Sequence, residues 1–206
     1  MTKIIFVSAT GTNVGKTYTC LRLMETIAAN GMRVIPFKPI ETGVDGEPSD
    51  ATALLGKYKE LYGDDGSIID DFCMYKLPLP AAPYVADKKR AIEITKIKEH
   101  IKTLSQKADV VLVEGAGGLF VPIAENYFMI DLAKECADLT VLVSHAGLGC
   151  INDVLLSKKA LESGEIKHKI VFNRRQDDEF DIISKPFLTE HLGDVYELEN
   201  LDKILI

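Results

Sequence analysis

An apolar run, Ile4-Ile5-Phe6-Val7, leads almost directly into Thr10-Gly11-Thr12-Asn13-Val14-Gly15-Lys16-Thr17, and a helical pattern over Tyr18 to Asn30 follows at once. Strand, glycine-bearing loop ending in Gly-Lys-Thr, then helix is the context that a phosphate-binding loop requires. Small residues let the main chain approach a phosphate chain and aim several N–H groups at it. The new helix adds its free N–H groups and the positive end of its dipole. In such a loop Lys16 reaches the β- and γ-phosphates and the Thr17 hydroxyl ligates Mg²⁺. The usual pattern places its first glycine at position 10, where this chain has threonine, so a variant loop is expected.

The chain of 206 residues is long enough to bury a core without staples and reads as one domain, residues 1–206. A net charge of −7 argues against a nucleic-acid surface, which calls for a basic patch. It does not exclude an anionic ligand held by local N–H groups and one lysine. Cys20, Cys73, Cys136 and Cys150 form no Cys-x-x-Cys pair, so neither a zinc site nor a disulfide framework is indicated. With no leader and no long apolar span, a cytoplasmic enzyme with reduced, mostly buried thiols and no membrane partner is expected.

Strands are expected at 3–9, 33–38, 110–113, 140–144 and 169–172, with a short one at 72–76 and a sixth at 180–184. Helices are expected at 17–30, 50–60, 94–107, 129–136 and 152–163, with Ser49 as the N-cap of the second. Strands alternating with helices, several of them apolar on both faces, imply an α/β fold: a P-loop NTPase-like three-layer sandwich around a mostly parallel sheet.

In such sheets ligands bind beyond the carboxyl ends of the strands. Three strand ends carry polar residues: the phosphate loop, Lys38-Pro39-Ile40-Glu41-Thr42-Gly43, and Glu114-Gly115-Ala116-Gly117-Gly118. Glu114 has the form of the acidic residue that holds magnesium in phosphate-loop proteins. Asp50 offers a second carboxylate, or it simply compensates the charge of a helix N-terminus. A lysine at 38, close to Lys16, suits the charge on a moving phosphoryl group, although a lysine beside a strand is also commonly just solvated. Gly147 and Gly149 precede a helix and offer an anion seat, or a plain turn. His145 and Cys150 read as site lining or packing, since nothing in the sequence orients them as a nucleophile pair.

These residues resemble the dethiobiotin synthetase family. The resemblance rests on Thr10 to Thr17, Lys38-Pro39 with Thr42-Gly43, Ser49-Asp50-Ala51, Val113 to Gly118, Leu148-Gly149-Cys150-Ile151-Asn152 and Asn173, in family order over most of the chain. Family loops typically carry threonine at position 10. The resemblance implies an ATP site of Asn13, Val14, Gly15, Lys16, Thr17, Tyr18, Asp50, Glu114, Gly115, Ala116, Gly117 and Asn173. It implies Mg²⁺ held by Thr17, Asp50 and Glu114, and catalysis by Lys16 and Lys38. The implied substrates are 7,8-diaminononanoate, CO₂ or bicarbonate, and ATP, with Thr12 and Thr42 near the diamine. The substrate carboxylate is implied to sit on Gly149, Cys150, Ile151 and Asn152 of a partner subunit, making the protein a homodimer.

The family often has an acidic residue where Asn13 stands. It also has a helix after the Asn173 position, then a last strand and a proline-containing loop that meets the base. Matching Pro186-Phe187-Leu188 to that loop leaves room for no helix, and implies a relaxed base preference. The alternative reading is a nucleotide-binding switch ATPase of the same fold without diamine chemistry; such proteins carry an extra lysine at the position of Gly11.

Overall fold

The computed structural model describes residues 2–174 and 179–205. The chain opens with β1 (Lys3–Ala9), α1 (Lys16–Ala29), β2 (Val34–Phe37) and β3 (Ile40–Thr42). Next come α2 (Ser49–Tyr62), α3 (Ile69–Phe72), β4 (Tyr75–Leu77), α4 (Pro83–Ala86), α5 (Ile94–Leu104) and β5 (Val110–Glu114). The middle holds β6 (Pro122–Ala124), β7 (Tyr127–Phe128), α6 (Met129–Cys136), β8 (Leu139–His145) and α7 (Cys150–Ser163). The last part is β9 (His168–Asn173), α8 (Phe180–Ile183), α9 (Lys185–Leu192), β10 (Tyr196–Glu197), a 3₁₀ turn (Leu198–Asn200) and α10 (Asp202–Leu205).

Six strands form one sheet in the order β10-β9-β8-β1-β5-β2, every neighbouring pair parallel. The apolar strands β1, β5 and β8 sit inside it, and β1 is central because its partners flank it on both sides. Helices cover both faces. The alternation along β8 and β9 sends Val141, Val143 and Val171 into one core cluster and Leu142, Ile170 and Phe172 into another. Side chains at successive strand positions point to opposite faces, so these are the two cores of a three-layer α/β fold. Parallel pairing also brings the carboxyl ends of β1, β2, β5, β8 and β9 to a single edge, where the ligand crevice of such sheets lies.

Three expectations need correction. The stretch 180–184 is helical, not a sixth strand: Phe180 and Ser184, four apart, are buried while Ile182 and Ile183 face outward. That is helix spacing, and a strand would have buried 182 as well. The sixth strand is β10 instead, paired with β9 through Tyr196↔Val171. Pro186 does not mark a base-binding loop; it stands in the first turn of α9, where its missing N–H is harmless. A helix therefore does lie between Asn173 and the last strand, and the turn after β10, Leu198–Asn200, contains no proline. Third, Ser49 is the first residue of α2 and not its cap; Pro48 holds the cap position and makes no side-chain bond there.

Candidate active site

Threonine at position 10 has a local reason. Its N–H donates to the Val143 carbonyl at 2.9 Å, extending the β1–β8 ladder by one residue, and its hydroxyl meets Ser144 Oγ at 3.4 Å. Its φ is not positive, so no glycine is needed there; the left-handed positions of the loop are Asn13 (φ 60°) and Gly15 (φ 101°). At Gly15 a Cβ would also lie 2.0 Å from Asn173 Nδ2. That amide donates to the Val14 carbonyl at 2.9 Å, tying the end of β9 to the loop. Asn173, implied to meet the base, thus first braces the phosphate loop.

Lys16, Thr17, Lys38, Asp50 and Glu114 converge around one cavity of about 440 Å³, which Thr12, Asn13, Gly15, Thr42, Ala116 and Gly117 also line. Thr17 Oγ lies 2.9 Å from both Asp50 Oδ1 and Glu114 Oε1. Lys38 Nζ donates to Asp50 Oδ2 at 2.7 Å and to Glu114 Oε1 at 2.6 Å. Lys38 is therefore not solvated: it is 3% exposed and Glu114 is 0% exposed. Burial would lower the Lys38 pKa, but Glu114 and Asp50 outweigh it and hold the ammonium well above its ordinary value. Burial would raise the Asp50 carboxyl, and Lys38 with Thr17 holds it below the usual carboxylate range. Lys16 is pushed down, by burial and by the Lys38 ammonium, and its Nζ makes one 3.4 Å contact with the Gly11 carbonyl.

Asp50 does not serve its own helix terminus; it faces Thr17 and Lys38. One hydroxyl proton on Thr17 stands between two carboxylate oxygens and can satisfy only one of them. Glu114 Oε2, fully buried, meets no strong hydrogen-bond donor among the described residues; the carboxylate's remaining neighbour is the buried Cys20 thiol, a weak donor. Two carboxylates that converge on one hydroxyl, with more acceptor oxygens than donors between them, fit Mg²⁺, which takes one or two carboxylates and completes its shell with phosphate oxygens and water. No denser group of three His, Cys, Asp or Glu side chains is present among the described residues.

A second cavity of about 430 Å³ adjoins the first, sharing Thr12, Asn13, Thr42, Ala116 and Gly117 and adding Pro80, Ala81, Ala82, Pro83 and Val121. The proline-marked stretch at 78–83 carried no functional reading from the sequence. Its apolar wall is set by packing of α4 against β6, which no local pattern announces.

The remaining predicted residues are less central. Tyr18 is 54% exposed and lines neither cavity. Gly115 contributes its carbonyl, 3.4 Å from Lys38 Nζ. Gly149, Ile151 and Asn152 line neither cavity in one chain. Cys150 is buried in the core and its N–H donates to the Gly147 carbonyl, so the side chain is not a ligand group. His145 Nε2 pairs with Asp153 Oδ2 at 3.2 Å and not with Cys150, whose thiol burial pushes upward. They are not a nucleophile pair.

A family model described as an AAA domain matches residues 3–204. The ATP-dependent dethiobiotin synthetase of Sulfurovum sp. (strain NBC37-1) is 47% identical over 185 residues, 89% of this chain and 88% of that one. That of Wolinella succinogenes is 36% identical over 212 residues, 99% of this chain and 98% of that one. Among solved structures, a plasmid partition protein from Borrelia burgdorferi has a TM-score of 0.60 at 13% identity, covering 100% of this chain and 98% of that one. The MinC:MinD cell division protein complex of Aquifex aeolicus gives 0.57 at 18%, covering 95% and 79%. Those two likenesses speak for the phosphate-loop fold alone. The full-length relatives speak for more: the chain belongs to the ATP-dependent dethiobiotin synthetase family.

Proposed function

We propose that residues 1–206 act in the cytoplasm as one synthetase domain that uses MgATP to close a cyclic urea on 7,8-diaminononanoate. The observation that carries this reading is the wall the two cavities share: a charged cavity at the phosphate loop and a more apolar one at Pro80–Pro83 have Thr12, Asn13, Thr42, Ala116 and Gly117 in common. One suits triphosphate, the other the methylene chain of a diamino acid, and Thr12 and Thr42 stand where they meet.

One amine adds CO₂ and loses a proton to give a carbamate. A carbamate oxygen attacks the γ-phosphorus and the bond to ADP breaks, leaving a mixed carbamic–phosphoric anhydride. The second amine attacks the carbamoyl carbon, the carbon–oxygen bond to phosphate breaks, and the ring closes with loss of a proton. Thr17, Asp50 and Glu114 would hold Mg²⁺, which would offset the negative charge of the phosphate groups. Lys16, the least satisfied ammonium of the site, would take the β- and γ-phosphates. Lys38, on the wall of the same cavity, would stabilise charge on the transferring phosphoryl group. Asn13 bears no charge at the junction of the cavities, so it orients the reacting amine or carbamate by hydrogen bonding alone.

Leu148, Leu155 and Leu156, with Phe120, are exposed apolar side chains, and the leucines flank the residues implied to seat a partner's substrate carboxylate. They support a homodimer in which Gly149 to Asn152 of one subunit complete the site of the other, through N–H groups at the start of α7, where the Cys150 N–H is already taken by the Gly147 carbonyl.

The test is phosphate release from MgATP with and without the diamine and bicarbonate. Release should require both. Release that ignores the diamine would sink the synthetase reading and favour a switch ATPase.

A further inference from the structure

Glu41 is a second buried carboxylate in the lining of the site cavity, after Glu114, and neither the phosphate chemistry nor the metal set uses it. It sits on β3 at 5% exposure. Its Oε1 accepts from the Asp50 N–H at 3.0 Å and the Ser49 hydroxyl at 3.3 Å, and its Oε2 accepts from the Ala51 N–H at 3.0 Å. A residue outside the helix thus does what the cap residue, Pro48, does not. The first turn of a helix offers unpaired N–H groups and a positive dipole end, and an aspartate in that turn is drawn to them. Asp50 is in that turn and yet reaches out, to Thr17 and Lys38.

We infer that Glu41 is a positioning residue for the reaction: by occupying the N–H groups that would otherwise recruit Asp50, it holds that carboxylate outward in its metal-facing pose. Without the Glu41 carboxylate, two N–H groups in a buried corner lack an acceptor, and the nearest replacement is the Asp50 side chain itself. Turning back to them removes one carboxylate from the metal set and one partner from Lys38. Glu41 also joins β3, which carries Thr42 of the diamine wall, to α2, which carries Asp50. The two walls are fixed to each other through one side chain.

The inference rests on Asp50 being a metal-facing group, and its test needs no diamine. Glu41→Gln keeps the volume but turns an amide against one of the two N–H groups. Calorimetry would compare binding of MgADP with binding of ADP in EDTA. The expected result is a loss of about 10- to 100-fold for MgADP, the range for groups that orient metal ligands, with metal-free ADP unchanged. Hydrogen exchange at the Asp50 and Ala51 amides should speed up. In an Asp50→Asn background, Glu41→Gln should add no further loss of MgADP affinity, because its effect runs through Asp50. A lowered melting temperature with the wild-type MgADP preference intact would reduce Glu41 to a helix cap and overturn the proposal; so would full additivity in the double variant. If Glu41→Gln does not fold, Glu41→Asp, one methylene short of the same N–H groups, enters the same cycle. An Asp50→Asn protein that keeps its magnesium preference would remove the metal reading of Asp50 and this inference with it. Diamine-independent turnover would sink only the synthetase reading.

Discussion

Lys38→Met removes a buried ammonium and keeps most of its bulk. Lys38 and Glu114 are both almost wholly buried, whereas the Asp50 side chain is 35% exposed, so the loss falls chiefly on Glu114. In the variant Glu114 Oε1 keeps only a share of the Thr17 proton, and the carboxylate is otherwise left with the weak donor of the buried Cys20 thiol. Removing one partner of a buried ion pair costs about 3–5 kcal/mol. At about 2–4 °C per kcal/mol for a chain of this size, the melting temperature in EDTA should fall by roughly 6–20 °C. MgADP supplies positive charge to the same oxygens, so it should raise the melting temperature of the variant by more than it raises that of the parent. Nucleotide affinity should survive, since the phosphate loop is intact. Phosphate release in the presence of diamine and bicarbonate should drop at least about 100-fold, the usual consequence of deleting a group that stabilises transition-state charge. A melting temperature in EDTA equal to the parent's would refute the buried-pair reasoning. Parental turnover would remove Lys38 from the chemistry.

Gly15→Ala adds left-handed strain of about 1–2 kcal/mol and drives a Cβ into Asn173 Nδ2, so MgADP binding should be lost in equilibrium titration while Gly11→Ala, with open space around it, keeps it. Burial pushes the Cys136 thiol up to about 11 and the Cys73 thiol up to about 12, with Cys20 and Cys150 also raised. Only thiolate is alkylated, so iodoacetamide at pH 8 should modify the folded protein about 100-fold more slowly than the denatured chain, and faster as pH rises toward 11; rapid modification of any one cysteine would contradict this. Leu156→Asp, on the exposed face of α7, should convert a sedimenting dimer to a monomer and lower turnover; a parent that is already monomeric at assay concentration would refute the shared-site arrangement.

What was legible in the sequence followed distance along the chain. The phosphate loop, the apolar strands and α5 are written in neighbouring residues, and Lys38, Asp50 and Glu114 are legible as polar residues at strand ends or a helix start on the ligand edge. The Phe180 stretch misled because a short apolar run does not distinguish strand from helix until burial shows which spacing is used. Ser49 misled for a different reason. Its residue type is that of a cap, but the acceptor that won is Glu41, eight positions upstream on another element. The grip of Lys38 on Glu114 joins residues 76 apart, and the brace from Asn173 to Val14 joins residues 159 apart. No periodicity encodes such pairs. They exist because parallel pairing brings five strand ends to one edge.

At that edge two ammonium and two carboxylate groups face one another, Lys16 and Lys38 with Asp50 and Glu114, and their charges cancel; Glu41, a third carboxylate in the cavity lining, is held instead by the N–H groups of α2. Burying the four as a set avoids the cost of an uncompensated charge, but it does not satisfy each member. Lys38 has two strong partners, while Lys16 has one long contact and a pKa lowered by burial and by Lys38 itself. On the acidic side Glu114 Oε2 meets no strong donor among the described residues and the Thr17 proton is contested. A bare anion would answer Lys16 and leave the acids as they are. A bare divalent cation would answer the acids and compete with Lys38 for them. Only a ligand that brings both signs at once, a metal-bound nucleotide, relieves the deficits on both sides and leaves an ammonium group beside the phosphate where charge moves. On the proposed reading, selectivity for MgATP over its separated parts would lie less in the loop, which any phosphate can occupy, than in the uneven pairing of the four charges behind it.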